Sequence, residues 1–209
     1  MKEIAKNLLK IKAVSLSPEE PFTWASGIKS PIYCDNRLVL SFKEEREAVI
    51  REMIRVIKEK FPECQSLMGT ATAGIPHASI CAWEMGLPTG YIRAKAKDHG
   101  KGNQIEGYYY PGMKVVVVED LISTGGSSLQ AVEAAKEAGC EVLGLVAIFT
   151  YNLEKGKKAF ADAGVEYYAL SNYEELIEAA IEENYIEEKS LAKLQKFQKN
   201  PSDMSWMEG

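Results

Sequence analysis

Residues Val115 to Ser128 read VVVVEDLISTGGSS: four β-branched apolar residues, two carboxylates, then small hydroxyl residues and two glycines. Val115 to Val118 is apolar at every position, so with a side-chain period of two it fills both faces of a strand, as a central strand of a parallel sheet requires. That strand ends at Glu119 and Asp120, and after a short loop a helix begins near Ser127. In parallel α/β sheets, ligands bind at such carboxyl ends. Gly125 and Gly126 let main-chain N–H groups approach closely, Ser123, Thr124, Ser127 and Ser128 supply hydroxyls, and the positive end of the helix faces the same loop. The stretch is therefore suited to a phosphate. No Gly-Lys-Ser/Thr follows and the G-x-G-x-x-G spacing is absent, so it is neither a Walker loop nor a dinucleotide fingerprint. Two acids beside that loop would repel a phosphate unless they face neutral hydroxyls or a metal. A ribose 5-phosphate meets both demands, with its vicinal hydroxyls on the acids and its phosphate on the loop.

On either side of this stretch, short apolar runs alternate with helical spacing. Strands are expected at 66–68, 90–92, 114–119, 141–149 and 166–170, with helices near 75–86, 127–138, 154–163 and 172–183 between them. This βαβα rhythm predicts an α/β fold, a mainly parallel sheet with helices on both faces. Amphipathic helices are expected at 2–12 and 43–61. Between these, Pro21 to Arg37, PFTWASGIKSPIYCDNR, has two β-prone runs, 22–24 and 32–34, separated by Ser26-Gly27, and predicts a small N-terminal hood or hairpin. After about residue 185 a charged helix leads to a polar tail in which Trp206 is the large anchor. No repeat or linker interrupts the chain. One domain over 1–209 is expected, with 1–40 as helix and hood.

The 209 residues carry 25 basic and 30 acidic side chains, a net charge of −5, which disfavours a general nucleic-acid surface. No apolar run approaches the roughly 20 residues of a membrane span, and the charged N-terminus does not read as a signal peptide, so a soluble cytoplasmic protein is expected. Cys34, Cys64, Cys81 and Cys140 are too widely spaced for a metal knuckle and are expected to be reduced and mostly buried.

Residues Tyr91 to Gly102, YIRAKAKDHGKG, hold four basic side chains against one Asp in an acidic chain, with glycines for flexibility. Such a loop after a strand is suited to closing over a departing anion. His77, among Ala78, Ile80 and Cys81 on an expected helix, reads as structural. Trp24 and Tyr33 are placed to stack on a planar base or simply to pack. The turn Gly69–Gly74 offers main-chain amides to a pyrophosphate or serves as a plain strand-to-helix turn.

Taken together, these segments resemble the type I phosphoribosyltransferases, and in particular those that use orotate. VVVVEDLISTGGSS is similar to the family's phosphoribosyl pyrophosphate motif, 91–102 to its mobile catalytic loop, 22–37 to its orotate-binding segment, and MGTATAGIP at 68–76 to its pyrophosphate loop. The resemblance implies transfer of ribose 5-phosphate from phosphoribosyl pyrophosphate to orotate, with Mg²⁺ carried by the pyrophosphate and no direct protein ligand. It implies that Lys97, His99 and Asp120 are catalytic, in a mobile loop spanning about 93–107 and at the strand end. Arg93, Lys97, His99, Glu119, Asp120, Leu121, Ile122, Ser123, Thr124, Gly125, Gly126 and Ser127 would hold phosphoribosyl pyrophosphate. Ser26, Gly27, Lys29, Tyr33 and Ser123 would hold orotate. It further implies a homodimer with shared sites, because the loop cations act on the neighbouring subunit's substrate. Ala25, Ala73 and Ala94 stand where many members have Lys, with Lys29 and Lys95 nearby. A purine- or uracil-specific sister enzyme would keep 119–127 and lose 22–37. A non-catalytic nucleic-acid-binding regulator of the same fold would gain a basic segment and dispense with 93–103.

Overall fold

The computed structural model describes residues 2–23, 27–95 and 104–208. Ten strands and seven α-helices follow in the order α1 (Lys2–Lys10), β1 (Val14–Leu16), β2 (Phe22–Thr23), β3 (Lys29–Ser30), β4 (Ile32–Cys34), α2 (Lys43–Lys60), β5 (Ser66–Thr70), α3 (Gly74–Met85), β6 (Thr89–Ile92), β7 (Ile105–Glu106), β8 (Lys114–Ile122), α4 (Gly126–Glu137), β9 (Glu141–Thr150), α5 (Glu154–Asp162), β10 (Tyr167–Asn172), α6 (Tyr173–Glu182) and α7 (Leu191–Lys199). Six strands form one sheet in the order β10-β9-β8-β5-β6-β7, parallel throughout except for β7, which runs antiparallel to β6.

The all-valine run explains the layering. Val116 and Val118 point into a core cluster shared with Leu8 of α1, Met53 of α2, Ala82 of α3 and Leu176 of α6. Val115 and Val117 point the other way, to Val132 of α4 and Phe160 of α5. All four valines are fully buried. A polar residue at any of them would lie in one of the two apolar layers, which is why this strand shows no alternation.

The hood differs from the expected hairpin. Run 22–24 does not pair with 32–34: β2 pairs with β3 (Phe22 opposite Ser30), while β4 pairs with β1 (Tyr33 opposite Ser15). Strand β1, which follows the helix expected over 2–12, and the 3-10 helix Asn36–Ser41 were not expected. The tail is held down by its anchor. Trp206 is 1% exposed, edge-on to Phe197 with ring centroids 5.6 Å apart. Its Phe197 partner lies on α7 and faces Tyr173 of α6. Among the described residues no helix is long and apolar enough to cross a membrane. The four cysteines are unpaired, Cys81 and Cys140 buried and Cys34 and Cys64 partly so.

Candidate active site

Pairing between β5 and β8 stops at Gly69 opposite Val118, so the last four residues of β8 extend past their neighbour. The acid pair sits on this overhang. The two carboxylates have different surroundings. Glu119 is 7% exposed and turned inward: Thr70 Oγ1 donates to Oε1 at 2.7 Å, Ser128 Oγ donates to Oε2 at 3.1 Å, and the Asp120 main-chain N–H donates to Oε1 at 3.0 Å. Both oxygens are thus engaged within the protein. Asp120 is only partly covered. Burial, followed by the neighbouring Glu119 carboxylate, pushes the Asp120 carboxyl from 3.8 up to about 7. Both acids border the same cleft, Asp120 the less covered of the two, and Glu119 adds to the upward push on the Asp120 carboxyl.

Thr70 is the acid-binding hydroxyl that sequence reading missed, and Ser128, expected among the hydroxyls of the phosphate loop, is instead 1% exposed and donates to Glu119. Each lies on a separate element, and a hydroxyl at the end of a strand or in the first turn of a helix carries no sign that it will meet an acid 49 or 9 positions away.

A cleft of about 340 Å³ opens beside the acids, lined by Thr70, Thr72, Arg93, Asp120, Leu121, Ser123 and Ser127 among others. Ser123 and Ser127 therefore stand where the phosphate loop was expected to act. Thr124, Gly125 and Gly126 shape the loop behind them, and Ile122, 1% exposed in the core, offers only its main chain. Gly125 adopts φ 80° at the N-terminus of α4, and a Cβ there would lie 2.9 Å from Phe160 Cε2. Only glycine fits that turn. Gln104 and Gln130, unremarked in the sequence, also face the cleft. The Gln104 main-chain oxygen accepts the Arg93 N–H at 2.8 Å and its Nε2 donates to the Arg93 oxygen at 3.1 Å, so the two residues fasten the ends of the segment between them. The Arg93 guanidinium lies 3.7 Å from Glu106.

Lys97, His99 and Ser26, like Trp24 and Ala25, lie outside the described residues, which omit 24–26 and 96–103. Gly27, Lys29 and Tyr33 lie on the hood and do not line the cleft. Gly27 has φ 83° with open space around it. Lys29 Nζ donates to Thr23 Oγ1 at 2.8 Å across the β2–β3 pair, and Tyr33, 47% exposed, packs 5.7 Å from the Phe22 ring. The hood reaches the acids through its next turn, where Cys34 and Arg37 lie within electrostatic range of Asp120. Burial first and the Asp120 charge second push the Cys34 thiol well up, keeping it neutral. His77 is fully buried on α3 and burial lowers it to about 4, in keeping with a structural role. A larger, open groove between Ser17–Glu20 and Tyr185–Ser190 contains none of these groups.

The profile of the phosphoribosyl transferase domain matches residues 41–183. Orotate phosphoribosyltransferase of Streptococcus pneumoniae is 59% identical over 208 residues, covering 100% of this chain and 98% of that protein. The chain belongs to the orotate phosphoribosyltransferase family. A second family member, orotate phosphoribosyltransferase of Listeria innocua, is 58% identical over 96% of both chains. Among solved structures, the crystal structure of orotate phosphoribosyltransferase from Aeropyrum pernix superposes with a TM-score of 0.75 at 27% identity, covering 88% of this chain and 99% of that one. The domain profile begins at residue 41, beyond the hood, whereas the match to the Streptococcus pneumoniae enzyme runs through hood and tail alike. The sequence similarity to the Streptococcus pneumoniae enzyme thus covers the segment that forms the hood, which lies outside the domain match.

Proposed function

We propose that the chain transfers ribose 5-phosphate from phosphoribosyl pyrophosphate to N1 of orotate, forming the N-glycosidic bond of orotidine 5′-monophosphate as the bond to pyrophosphate breaks. The observation that carries this reading is the acid pair Glu119 and Asp120, with Asp120 the less covered, on a strand end that leads directly into the Ser123–Ser127 loop at the N-terminus of α4. That pairing suits one ligand bearing both vicinal hydroxyls and a phosphate.

Each group then has a task. The loop amides and the Ser123 and Ser127 hydroxyls hold the 5′-phosphate at the positive end of α4. Asp120 accepts from the ribose hydroxyls and lies beside the positive charge that develops on the anomeric carbon as the leaving group departs, a charge pattern shared with glycosyl transfer in general. Arg93, Lys97 and His99 neutralise the departing pyrophosphate. The hood, with Ser26, Gly27, Lys29 and Tyr33, selects the base, and Ser123 also borders it.

Asp120 raised by its neighbour Glu119 is a crowded pair of acids whose repulsion a cation or sugar hydroxyls would relieve, so the site suits a substrate that brings Mg²⁺ with it. Among the described residues no group of three His, Cys, Asp or Glu side chains is spaced to cage an ion. Mg²⁺, a hard cation that favours phosphate oxygens, would be held by the diphosphate with Asp120 close by, and its contribution would be charge neutralisation of the leaving group. The enzyme acts in the cytoplasm as a homodimer, with Lys97 and His99 of one subunit serving the other's substrate and with no nucleic-acid partner. Orotate depletion, followed by absorbance with phosphoribosyl pyrophosphate and Mg²⁺ present, tests the reading. Loss of the orotate band only when all three are mixed is expected, and an unchanged band would refute it.

A further inference from the structure

One hydrogen bond ties the hood to the acid pair across 84 residues of sequence. Asn36 Nδ2 donates to the main-chain oxygen of Asp120 at 2.7 Å. Because that acceptor is a carbonyl, only the amide nitrogen of Asn36 can face it, which fixes the orientation of the side chain. The local sequence explains how Asn36 comes to point inward. Asp35 caps the 3-10 helix Asn36–Ser41 by accepting the Arg37 N–H at 3.2 Å, and it grips the Arg37 guanidinium at 2.6 and 2.9 Å. The Asp35 N–H is itself anchored to the Ala13 oxygen at 2.7 Å. Asp35 and Arg37 are thereby latched together at the surface, and Asn36 between them is 1% exposed.

This burial is not favourable on stability grounds alone. Asn36 Oδ1 is buried and has no hydrogen-bond partner among the described residues. A buried unsatisfied acceptor is costly, which offsets much of what the single donor bond contributes. A nearly neutral balance at a position that joins two halves of the site points to a geometric role.

We propose that Asn36 is a positioning residue for the transfer reaction: by holding the Asp120 carbonyl it sets the distance between the base-selecting hood and the ribose-binding carboxylate. The inference rests on the reading of the site as one that joins ribose to orotate. It has a distinctive consequence. Each substrate keeps its own contacts when the tie is cut, but the anomeric carbon and the attacking nitrogen lose their register, so turnover falls and affinity does not. Misplacement by about 1 Å in such a reaction reduces the rate by about 100-fold.

The experiment compares wild type with Asn36→Leu and Asn36→Asp. Leucine removes both the donor and the unpaired acceptor. Aspartate keeps the shape but, when ionised, presents only acceptors to the carbonyl. Melting temperature, calorimetric titration with phosphoribosyl pyrophosphate, and kcat and KM for orotate are measured for each. Expected for Asn36→Leu are a melting temperature close to wild type, phosphoribosyl pyrophosphate affinity within about twofold, and kcat lower by about 10- to 100-fold. Asn36→Asp should lose at least as much turnover, and it carries the test if the leucine variant does not fold. Wild-type kcat in either folded variant overturns the inference, and so does a loss of substrate affinity as large as the loss of kcat. A wild-type protein that turned over no orotate would instead overturn the functional reading on which the inference rests.

Discussion

Replacing Asp120 by Asn should make the enzyme slower and more stable at once. In the folded protein the Asp120 carboxyl titrates near 7, against 3.8 for an ordinary aspartate, because burial and the Glu119 charge disfavour its ionised form. A carboxyl raised in this way binds its proton more tightly folded than unfolded, so stability declines as the pH rises from about 4 to about 7 and stays reduced above that. At 1.36 kcal/mol per pH unit the full shift corresponds to about 4 kcal/mol, and partial solvation of Asp120 reduces this to about 2 kcal/mol. Asparagine keeps the shape without the charge and removes that penalty. At about 2–4 °C per kcal/mol for a chain of this size, the ligand-free variant should melt roughly 4–8 °C above wild type at about pH 8, and the gap should close near pH 4. Its turnover should fall by about 100- to 1,000-fold, the usual cost of removing one preorganised charge from a developing cation. Scanning calorimetry across pH, together with steady-state kinetics, measures both. A variant that melts lower than wild type at about pH 8, or a gap that does not change with pH, would mean that the Asp120 charge costs no stability, and undiminished turnover would mean that it does not serve the reaction.

Three further outcomes are expected. Thr70→Val deletes the 2.7 Å donor to Glu119 and leaves a buried carboxylate oxygen with one donor fewer; stability should fall by about 1–3 kcal/mol by denaturant titration, and turnover should fall with it. Gly27→Val places a β-branched residue at φ 83° on the hood, which it adopts poorly even though the surrounding space is open. The Michaelis constant for orotate should rise while calorimetric affinity for phosphoribosyl pyrophosphate stays unchanged; loss confined to phosphoribosyl pyrophosphate would contradict the assignment of the base to the hood. Mixing inactive Lys97→Ala and Asp120→Asn chains should restore activity through hybrid dimers with one intact site. No rescue after demonstrated subunit exchange would mean that the loop serves its own chain.

The elements legible in the sequence were those whose burial dictates composition. Val115–Val118 had to be apolar on both sides because two helical layers cover it, and the helices flanking it show their periodicity for the same reason. Strands of two or three residues, such as β1, β3 and β7, leave no periodicity to read. Which of them pair is decided by packing on α1 and by the turn at Gly27, so the hood's partners were misassigned while its existence was legible. At the site, Asp120, Ser123 and Ser127 were visible because strand end, acid and small-residue loop are contiguous. The difference in surroundings between the two acids was not. It depends on Thr70 and Ser128 reaching Glu119 from other elements, and on Asn36 reaching Asp120 from the hood.

Base competition tests whether the hood and the strand end together select orotate. With phosphoribosyl pyrophosphate and Mg²⁺ fixed, kcat/KM is measured for orotate, uracil, hypoxanthine and adenine under identical conditions. Uracil lacks the orotate carboxylate, so a site built around that group should reject it by about 10⁴-fold, and the purines further still. Comparable kcat/KM for uracil or for either purine would contradict the account.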